Sequence, residues 1–474
     1  MQTFSNDYEP IADTTSETQP MVVFDNEQEA PDTHSTKCKA ISGSTMYDAR
    51  VVLRDIPDLL NDGDVVLRVT STTASMKSGS VVGHECMGII DKAGSAVKAL
   101  KEGDRVVVSS HLSCDHCRFC KRKVASMCDR ATTGTGQQMP GHKASGIFSR
   151  PFSGHAEYIR VPLADANCLK IPDEVPDEKA LFLSELLPAA YHCVKDTGVK
   201  EGDIVGIWGL GPVGQCALRW AALAGAKRIY AIDKVDSRLQ LARKGAKPGI
   251  VQTIHFEQLD ELDDVVEYLV AKCPEGLDVA IDCTSHDPKS LLSNASKALK
   301  LETDSSNVIN ECIKSVRKMG RIGVVSNATG SMNQLNIGTI LEKGIRLTGN
   351  GTCPVQLYWE EILKKIVTNE FDPSFLISQR VRLEDFPDLY PVWARNPGEK
   401  IFGMTRFSPA PLAGTPELTS AQELQHLPGG RRRSSFLGTM FEQPRQPSRR
   451  RSSVLSSVLT EGRMLIDRAM GTGA

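Results

Sequence analysis

Ile204-Val205-Gly206-Ile207-Trp208-Gly209-Leu210-Gly211-Pro212-Val213-Gly214 is the stretch that decides the fold of this chain. Ile204 to Trp208 is an apolar run bounded by turn residues, the pattern of a buried strand. Gly209, Gly211 and Gly214 form a G-x-G-x-x-G, and Val213 to Ala224 is apolar, alanine-rich and predicted helical. A second apolar run, Ile229 to Ile232, ends at Asp233. The glycines therefore fall at the strand-to-helix turn of a βαβ unit, the context that gives the pattern its meaning. Gly209 permits the tight turn, Gly211 holds no side chain against a pyrophosphate, and Gly214 lets the helix pack close to the strand. Phosphates are expected along Gly209, Gly211, Pro212, Val213 and Gly214, facing the helix N-terminus. Asp233, 19 residues past Gly214, is placed to accept hydrogen bonds from both ribose hydroxyls and to repel a 2′-phosphate. NAD is expected over NADP.

The rest of the chain is read against that unit. Its 474 residues suffice for two or three domains, and 40% hydrophobic with 24% charged residues is ordinary for a soluble protein. A formal net charge of −2 gives no nucleic-acid footprint. No apolar run is long enough to span a membrane. The N-terminus has neither a signal sequence nor an Arg-rich transit peptide, and the last residues are no peroxisomal address. A cytoplasmic location follows, and the 13 cysteines then point to reduced thiols and metal binding.

Residues 1–36 carry eight acids and no Lys or Arg, which predicts a disordered acidic leader. Residues 37–172 are β-rich, with runs such as Val65 to Val69 and Val106 to Val108 between turn residues. Within them, Cys114-x-x-Cys117-x-x-Cys120 is followed eight positions later by Cys128. Four thiols so close, among basic residues that favour the thiolates, suit a tetrahedral zinc site. Four protein ligands leave no open position, so this zinc is structural.

Residues 173–344 alternate strand and helix, the pattern of a doubly wound parallel α/β sheet. Helices are expected over Ser237 to Lys244 and Gln258 to Lys272, and strands over Ile250 to Phe256, Leu277 to Asp282 and Arg321 to Ser326. The polar stretch Leu301 to Asn310 reads as an insertion before a helix ending at Met319. Residues 345–408 return to mixed β and short helix and are expected to pack on the first domain. Residues 409–474, with nine arginines and five acids, read as a disordered basic tail. It carries Arg431-Arg432-Arg433-Ser434-Ser435 and Arg449-Arg450-Arg451-Ser452-Ser453, two sites suited to a basophilic kinase. A solvated tail without a partner is the competing reading.

Gly83-His84-Glu85, Gly103-Asp104-Arg105-Val106, the four-cysteine lobe and Gly209 to Gly214 together resemble the zinc-dependent alcohol dehydrogenases of the medium-chain dehydrogenase/reductase superfamily. Leu183 to Pro188, Ile232 to Val235 and Leu301 to Asp304 are most similar to the glutathione-independent formaldehyde dehydrogenase-like branch. The resemblance implies a GroES-like catalytic domain beside the Rossmann domain, NAD and zinc as cofactors, and an alcohol or aldehyde as substrate. It also implies a homo-oligomer. His84 and Glu185 match ligands of a catalytic zinc, Glu85 an acid behind them, and Arg238 a residue at the adenosine end. One departure is decisive. The family's Cys-Gly-Ser-Asp-type block, with the first zinc ligand and the hydroxyl proton relay, is missing where Ser71-Thr72-Thr73-Ala74-Ser75 runs into Met76-Lys77. Cys38 lies too early to replace that ligand, and Cys86 stands near enough in sequence to be considered. Two readings remain: an NAD-dependent zinc oxidoreductase of alcohols or formaldehyde, or a catalytically impaired NAD-binding protein with a phosphorylatable tail. Asp233 and the cysteine lobe argue against a zinc-free NADPH reductase.

Overall fold

The computed structural model describes residues 37–42, 49–73, 76–77, 80–81, 83, 85–130, 154–259, 264–284, 305–326, 332–393, 400–419 and 423. The acidic leader, the twin arginine–serine sites and His84 lie outside them.

The β-rich domain begins with a hairpin of β1 (Lys37–Ser42) and β2 (Arg50–Asp55). Its main sheet is built on β3 (Val65–Thr73), almost wholly buried along its length. β3 pairs antiparallel with β4 (Cys86–Ala93), which pairs with β5 (Arg105–Val108). β6 (Tyr158–Val161) lies on the first half of β3, and β7 (Cys168–Lys170) lies on β5. Val65, Leu67, Val69, Ile90, Val106 and Val108 fill one core, with Cys86 among them.

α1 (Leu186–Asp196) leads into the second domain. There the expected unit forms as read: β8 (Ile204–Trp208), then α2 (Pro212–Leu223), then β9 (Arg228–Asp233). α3 (Asp236–Arg243), β10 (Val251–His255), α4 (Val265–Lys272), β11 (Leu277–Asp282), α5 (Asn307–Ser315), β12 (Val316–Val324), α6 (Ile337–Lys343) and β13 (Arg346–Gly349) follow. The six strands are parallel in the order β10-β9-β8-β11-β12-β13. The order reverses between β8 and β11, so the topological switch point lies beside the glycine loop, where open α/β sheets bind ligands.

Several boundaries differ from expectation. The parallel sheet runs on to Gly349 of β13, past the expected domain end at residue 344. The helix read to end at Met319 stops at Ser315, because Val316 is buried and pairs with Leu277 of β11, which pulls the chain into the sheet early. Met319 then sits inside β12 with φ 58°, a left-handed kink beside a shift of register. Of the amphipathic stretch from Gln258, the described α-helix covers Val265–Lys272, and Asp264 caps it by accepting the N–H of Glu267 at 2.8 Å.

The chain then returns to the first domain. α7 (Val355–Val367) packs on α1, and β14 (Ile377–Arg382) and β15 (Lys400–Met404) extend the first sheet by pairing β15 with β3. α8 (Phe386–Trp393) fills the corner between them with Phe386, Leu389 and Tyr390. The ordered chain does not stop at Ser408. Arg380 forms a buried ion pair with Glu178 at 2.7 Å and donates to Thr415 Oγ1 at 2.7 Å and Pro416 O at 3.1 Å. Leu412 N–H reaches the same Glu178 carboxylate at 2.8 Å. A tail beginning at residue 409 is therefore too early: 409–419 supplies further hydrogen bonds to the buried Arg380–Glu178 pair.

Candidate active site and zinc lobe

Gly209 adopts φ +83°, and a Cβ there would come within 2.9 Å of Cys283 O. Nothing lies within 4 Å of a Cβ added to Gly211, which is the open cradle a pyrophosphate needs. A Cβ on Gly214 would collide with Gly209 O, so the third glycine is required by helix packing. Gly211 is the N-cap of α2, with Pro212 and Val213 opening the helix and no side chain capping it.

Asp233 is buried at the end of β9. Its Oδ2 accepts Leu210 N–H at 2.7 Å, and its Oδ1 accepts Lys234 N–H at 2.7 Å and Val235 N–H at 2.9 Å. The acid is thus bonded directly to the glycine loop as well as to its own turn. Arg238 Nη1 stands 3.5 Å from Oδ2, beside the expected ribose acid. These features fit a dinucleotide at the switch point.

The reaction-centre candidates divide. Glu85 is fully buried and holds two elements together: Oε2 accepts the Thr73 hydroxyl at 2.6 Å, and Oε1 accepts Leu186 N–H at 3.1 Å, the first residue of α1. Glu185, one residue earlier, is half-buried beside it. Cys86 does not join them. It points into the apolar core of the β-rich domain, and burial, with Glu85's charge second, pushes its thiol up to about 12. Cys38 is likewise buried, in β1. Cys353 is the thiol that sequence reasoning missed. It is buried, and its pKa is raised well above the ordinary value by burial and then by the charge of Glu185. Among the described residues the four cysteines of the lobe are the one set of three or more donors able to hold a metal. His84, the histidine of the candidate catalytic set, lies outside the described residues, and of that set the structure describes Glu85 and Glu185.

The lobe does fit. Cys114, Cys117, Cys120 and Cys128 bring their sulfurs within 4.8 Å of one another, and Cys114 Sγ lies 3.9 Å from Cys120 Sγ. Tetrahedral zinc with bonds of about 2.3 Å needs sulfurs about 3.8 Å apart. Burial pushes the Cys117 thiol up, but the N–H groups of Cys120, Asp129 and Phe119 outweigh it and hold the thiol at about 7. Backbone donors, more than the basic side chains expected from sequence, favour this thiolate. Asp115 and Lys123 take left-handed backbone at φ 62° and 61° to close the loop.

Comparison with known proteins agrees with both halves of the architecture. Residues 59–173 match the alcohol dehydrogenase GroES-like domain, and residues 212–302 match the zinc-binding dehydrogenase domain. The chain is 33% identical over 389 residues to a zinc-type alcohol dehydrogenase-like protein of Schizosaccharomyces pombe, covering 77% of this chain and 89% of that one. It is 30% identical over 280 residues to the glutathione-independent formaldehyde dehydrogenase of Pseudomonas aeruginosa, covering 56% and 67%. Among solved structures, the alcohol dehydrogenase of Thermus sp. ATN1 superposes with a TM-score of 0.62 at 25% identity, covering 78% of this chain and 100% of that one. With its GroES-like and Rossmann domains and a four-cysteine lobe, this chain belongs to the zinc-dependent alcohol dehydrogenase family.

Proposed function

We propose that this protein binds NAD at the switch point of the parallel sheet and descends from oxidoreductases that move hydride from an alcohol, or from hydrated formaldehyde, to NAD. The observation that carries the reading is the Asp233 carboxylate bonded to Leu210 N–H, which sets the ribose acid and the glycine loop in one rigid unit. Its charge opposes a 2′-phosphate, so NAD binds more tightly than NADP.

Turnover is a separate matter, and the missing block weighs against it. In the family reaction a zinc ion polarises the alcohol oxygen. His84 and Glu185 remain in the sequence, but Cys86 faces the core and Thr73, where β3 ends, has its hydroxyl committed to Glu85. Among the described residues, that strand end offers neither a cysteine of the family type nor an uncommitted Thr73 hydroxyl. The second reading, an NAD-binding protein with impaired catalysis, is favoured by these two losses. Calorimetric titration with NAD and NADP tests the first statement. Turnover assays with formaldehyde and simple alcohols, on protein made from this sequence, test the second: rates comparable to those of relatives would sink the impaired reading.

Three further properties belong to the same proposal. A homo-oligomer is supported by β13, the open edge of the parallel sheet, near which Leu341 is 76% exposed and Ile337 56% exposed. Among the described residues no helix is long and apolar enough to cross a membrane, which is compatible with the proposed cytoplasmic location. The arginine–serine repeats are proposed as kinase sites, each phosphate cancelling local positive charge.

A further inference from the structure

A cavity opens towards the C-terminal end of α2, away from the glycine loop. It has a volume of ≈ 440 Å³ and lies beside the starts of β9 and β10. Ala226, Ile250 and Phe371 give it an apolar wall, and Gly245 leaves room for Arg219. A Cβ at Gly245 would stand 3.0 Å from Arg219 Nη1.

The charges around this cavity are not balanced. Arg219 is half-buried and stacks on Phe375, 3.5 Å from the ring centroid. Its Nη1 donates to Gln215 O at 2.9 Å and Gln215 Oε1 at 3.1 Å, and its Nη2 to Leu241 O at 3.4 Å. All these partners are neutral, and no described carboxylate pairs with it. Burial lowers its pKa to about 10, so it keeps its charge at neutral pH. Lys247 adds a second cation, exposed at the rim.

The two acids at the cavity are already engaged. Glu370 pairs with Lys365 at 2.7 Å, and Asp372 with Lys179 at 2.9 Å. Three helices also end here, which by itself favours cations. Their last carbonyls, however, are occupied by the turns that follow: Gly225 N–H on Ala222 O, Ala226 N–H on Ala221 O, Gly245 N–H on Ala242 O and Phe371 N–H on Lys365 O. A whole positive charge on Arg219 stays unmatched, with an apolar wall beside it.

We propose that this cavity binds a small organic anion, with its carboxylate or phosphate on Arg219 and Lys247 and its body against Ala226, Ile250 and Phe371. Arginine suits either head group, through paired N–H donors. Arg219 lies seven residues past Pro212 in α2, so the site begins about 10 Å along the helix from the glycine loop. It is distinct from the glycine loop and does not rest on the dinucleotide reading.

Calorimetry and thermal denaturation of the full chain, at constant ionic strength, test the proposal with inorganic phosphate, succinate and hexanoate as probes. Saturable binding and stabilisation by at least one probe are expected, and the phosphate and carboxylate arms identify the head group. Arg219→Met should weaken that binding about tenfold or more, since a charge-assisted bond is lost. Lys247→Ala should weaken it a few-fold, and saturating NAD should leave it unchanged. Absence of saturable binding by all three probes overturns the proposal, as does unaltered affinity in Arg219→Met. Competition by NAD would place the anion at the glycine loop and also overturns it. Should Arg219→Met fail to fold, Lys247→Glu at the exposed rim decides: unchanged affinity refutes the site.

Discussion

Glu85 Oε1 accepts the N–H of Leu186 at 3.1 Å, tying the Gly-His-Glu loop to the first turn of α1. The other oxygen takes the Thr73 hydroxyl at 2.6 Å, so one carboxylate joins the end of β3 to the helix that leads to the parallel sheet. Glu85→Ala should strand both donors in a buried place and destabilise the fold by about 1–3 kcal/mol for each. Glu85→Gln should cost much less, because its carbonyl can still accept Leu186 N–H. Equal melting temperatures for the two variants would rule out this bracing role.

Asp233 serves the loop as well as the ribose. Asp233→Asn keeps one acceptor oxygen, for Leu210 N–H or for the Lys234 and Val235 N–H groups, and removes the negative charge, so the preference for NAD over NADP should narrow. Asp233→Gly removes the acceptor from three backbone N–H groups and should also lower stability. Equal affinity of the unmutated protein for NAD and NADP would contradict the assignment.

The zinc lobe should retain about one zinc per chain through purification, as four thiolates leave no open position. Cys117→Ser should release that zinc and lower the melting temperature, whereas His84→Ala should leave the zinc content unchanged. Metal analysis of both variants checks this. Loss of zinc in His84→Ala would reveal a rebuilt catalytic site.

Truncation should distinguish two segments of the C-terminal region. Deleting 424–474 should leave the melting temperature nearly unchanged. Deleting 409–474 should lower it, because Arg380 loses Thr415 and Pro416 while Glu178 loses Leu412 N–H, each stranded group costing about 1–3 kcal/mol. Identical melting curves would show that 409–419 adds nothing.

His192 supplies a pH dependence. Its half-buried ring meets the Tyr358 hydroxyl at 2.9 Å, and burial lowers its pKa below 6.5 despite the opposing charge of Asp196. The unfolded chain therefore binds a proton more readily, so this contribution is complete above pH 6.5 and is lost as pH falls through the lowered folded value. Denaturant titrations in that acid range should show a steeper loss of stability for the unmutated protein than for His192→Gln. Parallel profiles would exclude His192 as the cause.

Local pattern alone determined the dinucleotide unit. Glycine spacing, an apolar run on each side and an acid at fixed distance are all short-range features, and β8 forms over Ile204–Trp208 as read. The four-cysteine lobe was legible for the same reason: its ligands lie within 15 residues of one another, from Cys114 to Cys128. Family membership rested on these motifs and is borne out. What only the tertiary structure decided depends on partners distant in sequence. Cys86 lies in the core of the β-rich domain because β4 pairs with β3 in a register that no local pattern reveals. The expected helix stops at Ser315 because Leu277, 39 residues earlier, takes Val316 into the sheet. The composition of 409–474 as a whole made 409–419 look like free tail, but the buried Arg380–Glu178 pair bonds to it. Sequence reports which groups a chain carries, whereas the cost of burying a polar group unpaired determines which distant segments must meet.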